Sequence, residues 1–308
     1  MTRVSSFGQQ SQLLLNALRN QERLAQTQEQ ITTGKKASTF NQLSPDVQKA
    51  LDARQTLSGV RTFRDTISQV RQQIDGMDLQ LTATVDTARD LKQAMVTAIG
   101  QQDATGFVTI LDQSFQLVRS ALNTRVNGNH IFAGGRTDEP PVNISTLADL
   151  QALPTAADAF SNDQTRRRAI IAEGVELEFG QLADDFGLEI MESIKRIADF
   201  NATNPDGPFD ENLTAGQRSF LEGEIANLES AIQKAQSVQA ANGLNSNRLD
   251  VVDEQHSSTE NFIQTLIGEI EDIDLAEAVT RLNQQQTTLE ASFRAIGTLS
   301  RLSLLDFL

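Results

Sequence analysis

The stretch Asp272–Leu308, DIDLAEAVTRLNQQQTTLEASFRAIGTLSRLSLLDFL, decides the fold. On a helix, Leu275, Val279, Leu282, Gln286, Leu289, Phe293, Ile296 and Ser300 step by four and three residues alternately, the period of a coiled-coil seam. Leu299, Leu302, Leu304, Leu305, Phe307 and Leu308 widen the apolar face to the last residue. Chain ends are ordinarily polar and frayed. This one is patterned for burial, so its cover is expected from the N-terminal segment, a neighbouring molecule, or both.

Working outward, the cleanest periodicity runs from Val60 through Phe63, Ile67, Val70, Ile74, Met77, Leu81, Thr84, Ala88, Leu91 and Met95 to Ala98. It predicts one helix of roughly 50 residues, about 75 Å long. Gly100–Gly106 reads as a turn. Val108, Leu111, Phe115, Val118 and Leu122 then form the face of a helix folding back as a hairpin. At the N-terminal end, Leu14, Leu18 and Ala25 make one thin stripe and Leu24 and Ile31 another, broken by Gln21 and Gln28. That helix is too weakly apolar to stand alone. Gly34 is its expected stop, before a polar loop, Lys35–Pro45. Residues 126–142 carry Gly128, Gly134, Gly135, Pro140 and Pro141 and read as a boundary. Ala169–Phe179 predicts two short strands about Glu173-Gly174, and Leu188, Met191, Ile194 and Ala198 one short helix. Leu221, Ile225, Leu228, Ile232 and Ala235, then Leu249, Val252, His256, Thr259, Ile263, Leu266, Ile270 and Ile273, return the pattern to helix. The fold expected is mainly α: an elongated antiparallel helical rod built from both chain ends, with a small α+β module inserted. The divisions are 1–45 and 271–308 as the two parts of a terminal domain, 46–135 and 211–270 as the halves of the rod, and 136–210 as the insertion.

Composition narrows the function. The chain has 308 residues, 26 Lys+Arg against 41 Asp+Glu, a formal charge of -15, and no Cys, Trp or Tyr. This disfavours nucleic-acid binding and adhesion to anionic membranes, and leaves no thiol chemistry. The apolar run Leu13–Leu15 is too short for a secretory signal, and no stretch reaches the length of a membrane span. Of two histidines, His256 falls at a seam position, where a packed or hydrogen-bonded ring is expected, and His130 lies in another element. Glu271, Asp272, Asp274 and Glu277 read as an acidic first helical turn, with a cation site as the sharper alternative. Gly134-Gly135-Arg136 reads as a turn, with an anion cradle as the alternative. Arg166–Arg168 reads as a solvated strand edge or a subunit contact. No residue is assigned to catalysis, to a cofactor or to a metal, and no enzyme is expected.

Three segments carry a family resemblance. LAQTQEQITTGKKAS (24–38), GNHIFAGGRTDEPPV (128–142) and the C-terminal stretch resemble the flagellin superfamily and, within it, the hook-associated proteins of the hook-filament junction. The departure lies at Ser38–Asp46, where only Ser44-Pro45-Asp46 is kept. The resemblance implies axial terminal helices and an outward-facing insertion. It implies a secreted protein of the extracellular flagellum, exported by the flagellar type III apparatus without a cleaved signal. Implied partners are the preceding hook-associated protein, flagellin, identical subunits in a ring and an export chaperone, with neither nucleic acid nor membrane. Read together with the periodicity, this gives a structural adaptor whose assembly interface comprises Leu14, Leu18, Leu282, Leu289, Phe293, Ile296, Leu299, Leu302, Leu305 and Phe307. The alternatives are a filament-forming flagellin, an extracellular enzyme or metal-binding protein using the insertion, and a membrane-active C-terminal helix.

Overall fold

The computed structural model describes residues 2–37, 39, 46–203, 205 and 208–305 and, in the terminal helices, side-chain surroundings between residues 11 and 298. Its helices are α1 (Thr2–Thr33), α2 (Val47–Gln101), α3 (Phe107–Leu122), α4 (Leu147–Ala152), α5 (Ala183–Thr203), α6 (Ala215–Glu271) and α7 (Leu275–Leu305). Two small antiparallel hairpins join them: β1 (Arg125–Val126) with β2 (Asn129–His130), and β3 (Arg168–Ala172) with β4 (Val175–Glu178). The chain divides into two compact units, Val60–Ser257 and Met1–Gly59 with Ser258–Leu308.

Within Val60–Ser257 the long apolar stripe of α2 is the spine. Ile67, Ile74, Met77, Leu81, Leu91 and Met95 are each at most 1% exposed. Thr84, the polar exception, is fully buried because its hydroxyl donates to the Gln80 carbonyl at 2.8 Å and so presents only its methyl to the core. Against this stripe lie Leu111, Phe115 and Leu122 of α3, Ile190, Met191, Ile194 and Ile197 of α5, and Leu221, Leu228 and Ala235 of α6. The helix around Met191 and Ile194 thus belongs to the same core as the long helices. Helices α2 and α6 run antiparallel, as their bridging polar pairs record: Lys92–Glu229, Thr82–Gln239, Arg71–Asp250 and Arg64–Asp253. Gly106, at φ 77°, turns the chain from α2 into α3 in a conformation that L side chains resist.

The elements between α3 and α6 hold to this core. Hairpin β3–β4 buries Ile171, Leu177 and Phe179 on Ile67, Val70, Ile74 and Leu249. His256 is fixed there as a packed ring. It stacks on Phe63 at 5.5 Å, and its Nε2 bonds the Ile171 carbonyl at 2.8 Å. Between β2 and β3, Ile131 and Phe132 are buried, with Phe132 edge-on to Phe186 at 5.1 Å. The segment read as a turn-rich boundary is therefore also an anchor.

Replacing Phe132 with Ala should cost about 3–5 kcal/mol, through lost transfer energy and the cavity left behind. Leu244→Ala, at a side chain 70% exposed, should stay within about 0.5 kcal/mol. Urea unfolding followed by circular dichroism measures both, and equal effects would refute this placement of the core.

Candidate assembly surface

The unit formed by residues 1–59 and 258–308 is built from the pairing of α1 with α7. The two helices enter it through a pair of turns that clasp each other. Gly34, at φ 71°, ends α1. Its carbonyl accepts from Ile273 N–H at 3.0 Å, while Lys36 N–H donates to the Glu271 carbonyl at 2.7 Å. Glu271 is 5% exposed. Arg54 donates to both of its carboxylate oxygens, from Nε at 3.0 Å and Nη2 at 2.9 Å. Lys35 reaches Glu271 at 3.4 Å and Asp272 at 2.6 Å. The Asp272 contact first, with Glu271 adding, holds the Lys35 amine above its ordinary value. Asp274 caps α7 by accepting from the N–H groups of Ala276 and Glu277, and Glu277 pairs with Arg281 one turn on. The four carboxylates read as an acidic first turn thus serve as two ion-pair partners, a cap and a helix-surface pair.

From this clasp α1 and α7 run antiparallel. The inward side of α1 is Leu13, Ala17, Asn20, Leu24, Thr27 and Ile31, and that of α7 is Ala278, Leu282, Gln285, Leu289, Ser292 and Ile296. Both step by four and three. The α7 seam shares Leu282, Leu289 and Ile296 with the pattern read from sequence, but alternates them with 278, 285 and 292 rather than 279, 286 and 293. Small and polar members, Asn20, Thr27, Gln285 and Ser292, keep this seam thin, and Gln285 Oε1 is buried without a hydrogen-bond partner.

In an antiparallel pair, residues following alternate seam positions on each helix border the same side. On that side lie Leu14, Gln21 and Gln28 of α1 and Val279, Gln286 and Phe293 of α7. Leu14 and Leu18 are 52% and 53% exposed, Phe293 54% and Val279 45%. Leu15 and Leu275 are exposed as well. Of the sequence-derived interface residues, Leu14, Leu18 and Phe293 are open, while Leu282, Leu289 and Ile296 are half-buried. Leu299, Leu302 and Leu305 lie on α7, but their side chains, like Phe307 and most of the loop at 38–45, fall outside the described residues. The described hydroxyls of α7 are turned to its own backbone. Thr280, Thr287, Thr288, Ser292 and Thr298 each donate to the carbonyl four residues earlier, at 2.6–2.9 Å. Charge is sparse here as well. Residues 60–257 hold 16 of the 26 basic and 29 of the 41 acidic side chains, whereas α1 and α7 together hold six basic and four acidic.

The other constellations resolve locally. The Gly134-Gly135 loop cradles a carboxylate of the chain itself: Asp163 Oδ1 accepts from Gly135 N–H at 2.8 Å. A Cβ on Gly134 would lie 2.2 Å from that oxygen. The Gly135 amide first, then that of Thr165, holds the Asp163 carboxyl below its ordinary value. Arg166–Arg168 is not a uniform solvated edge. Arg166 pairs with Asp185 and Arg168 with Glu178, whereas Arg167 turns inward to Gln73 Oε1 at 2.7 Å and the His130 carbonyl at 3.0 Å. Burial lowers its affinity for the proton. Sequence reading missed what Lys35, Arg54 and Arg167 bind. Their partners lie far away in the chain, and periodicity carries no such information. No described helix is long and apolar enough to cross a membrane.

Residues 225–308 match the sequence model of a family described as the bacterial flagellin C-terminal helical region. No curated protein sequence matches the chain. Among solved structures, the chain resembles one assigned as a flagellar hook-associated protein from Vibrio parahaemolyticus, with 15% identity, a TM-score of 0.61, and coverage of 73% of this chain and 97% of that one. It also resembles FlgL of Bacillus cereus, with 12% identity, a TM-score of 0.57, and coverage of 70% and 98%. What is shared at these identities is the fold.

The clasp yields a graded test. Glu271→Ala strands Arg54 and should lower the stability of the α1–α7 unit by about 1–3 kcal/mol. Lys35→Met, at a half-exposed amine, should cost less than about 1 kcal/mol. Hydrogen exchange along α1 and α7 reads the difference, and a Glu271→Ala chain that exchanges like the parent would remove the clasp from the account.

Proposed function

We propose that this chain is a flagellin-superfamily protein and a structural adaptor of the bacterial flagellum, joining the preceding hook-associated protein to the flagellin filament. The observation that carries the reading is the open flank of the α1–α7 pair. Leu14, Leu18 and Phe293 are large apolar side chains left uncovered beside a seam too thin to hold the pair firmly by itself. Covering this flank with a neighbour removes apolar surface from water at roughly 25 cal/mol per Å². The same contact orders the helices, so folding and binding are coupled. Identical subunits in a ring, flagellin above and the hook-associated protein below are the neighbours the reading requires, with an export chaperone holding α7 before assembly. The working location is outside the cell, after export through the flagellar apparatus. No chemistry is assigned to the chain. The matched flagellin C-terminal region, which includes all of α7, supports this role for the terminal helices.

A chain ending at Thr288, and separately the variant Leu14→Ser, Leu18→Ser, Phe293→Ser, should keep the helical signal of residues 60–257. Neither should restore filaments to hooks in cells lacking the protein, as scored by electron microscopy. Normal filaments with either variant would defeat the reading. Long filaments formed by the purified parent chain alone would move it to a filament-forming flagellin.

A further inference from the structure

His130, at the end of β2, is 3% exposed and bonded at three positions. Its backbone N–H donates to the Thr137 carbonyl at 2.8 Å, and its carbonyl accepts from Arg167 Nη2 at 3.0 Å. Its ring Nε2 faces Arg125 Nε at 3.0 Å. A guanidinium only donates, so Nε2 is the acceptor and the ring proton resides on Nδ1. Nδ1 is buried toward the Asn123 carbonyl, short of a formed hydrogen bond. Arg167 in turn binds Gln73 of α2. One neutral imidazole therefore sits where β1, β2, the lead-in to β3 and α2 are tied together. The charged groups against it are both positive, Arg125 from β1 and Arg167 from the β3 lead-in. Arg136 acts instead on Asp163.

We propose that His130 is an acid-sensitive latch: neutral, its ring holds Arg125 across the β1–β2 hairpin, and protonated, it releases it. Protonation converts Nε2 from acceptor to donor, opposing it to the Arg125 N–H, and adds a third positive charge to a site where, among the described residues, no carboxylate is bonded. Burial first, then the charge of Arg125, holds the ring below its ordinary 6.5, with the Asn123 carbonyl acting in the opposite sense. The unfolded chain therefore binds this proton at higher pH than the folded one. The stability contributed by the neutral ring is complete above about pH 6.5 and declines as pH falls below it. His256 shares none of this arrangement and serves as the internal control.

The test combines a proton titration of both histidines by NMR with hydrogen exchange of residues 124–132 and 167–169, at about pH 7.5 and about pH 5.5, either side of the ordinary histidine value. Exchange is normalised to the intrinsic rate at each pH. The expected result is His130 titrating below the ordinary histidine value, with hairpin exchange rising several-fold at the lower pH. Arg125→Met should raise the His130 titration and shrink the response. His130→Gln, whose amide oxygen still accepts from Arg125, should abolish it. Normal or elevated titration of His130, an acid-indifferent hairpin in the parent, or a response that survives in His130→Gln each overturns the latch. Should His130→Gln fail to fold, Arg125→Met decides alone.

Discussion

Everything in the terminal unit depends on where the Glu271 carboxylate can find positive charge. It is almost wholly buried, and an unpaired carboxylate there would be costly enough to force the turn open. Arg54 and Lys35 come from opposite sides of the turn that follows α1, so satisfying Glu271 fixes the end of α6, the start of α2 and the Gly34 turn in one place. From that anchored point α1 and α7 extend with a seam that has little apolar content of its own. The geometry is set by ionic and backbone bonds at the clasp, and beyond it by a seam of small and polar side chains.

Where a helix buries one face within the chain, the residues announced it. The stripe from Val60 to Ala98, the hairpin about Gly174, the stop at Gly34 and the packed ring of His256 all follow from local pattern and turn chemistry. The α7 seam was harder. Its apolar residues occupy two adjacent stripes, 275/279/293 and 282/289/296, and the larger side chains bias any reading towards the one that is open. The buried stripe is completed instead by Ala278, Gln285 and Ser292, residues whose size permits close approach of α1 rather than driving it. What α5 packs on was likewise invisible, since an amphipathic stripe states that a face is covered without naming the cover. The ion pairs were least legible, because Lys35, Arg54 and Glu271 meet across more than two hundred residues of intervening chain.

The two units differ in electrostatic character as sharply as in packing. The strong acidity of residues 60–257 makes that surface repel its like, and the effect reaches about 8 Å at physiological ionic strength. The α1–α7 pair carries little net charge and so presents no such barrier. A chain of this composition discriminates between its own surfaces: apolar contact is favoured where charge is absent and opposed where it is dense.

The threonine and serine hydroxyls of α7 have a quieter consequence. Ordinarily a hydroxyl-rich helix is a poor surface to cover, since each group gives up a water molecule that nothing replaces. Here each of the five described hydroxyls donates to the carbonyl one turn back, whether or not anything lies over it. What these five side chains present to a neighbour is methyl and methylene. A count of hydroxyls therefore overstates how wet these five positions are, and water can be stripped from them at less penalty than their residue types imply.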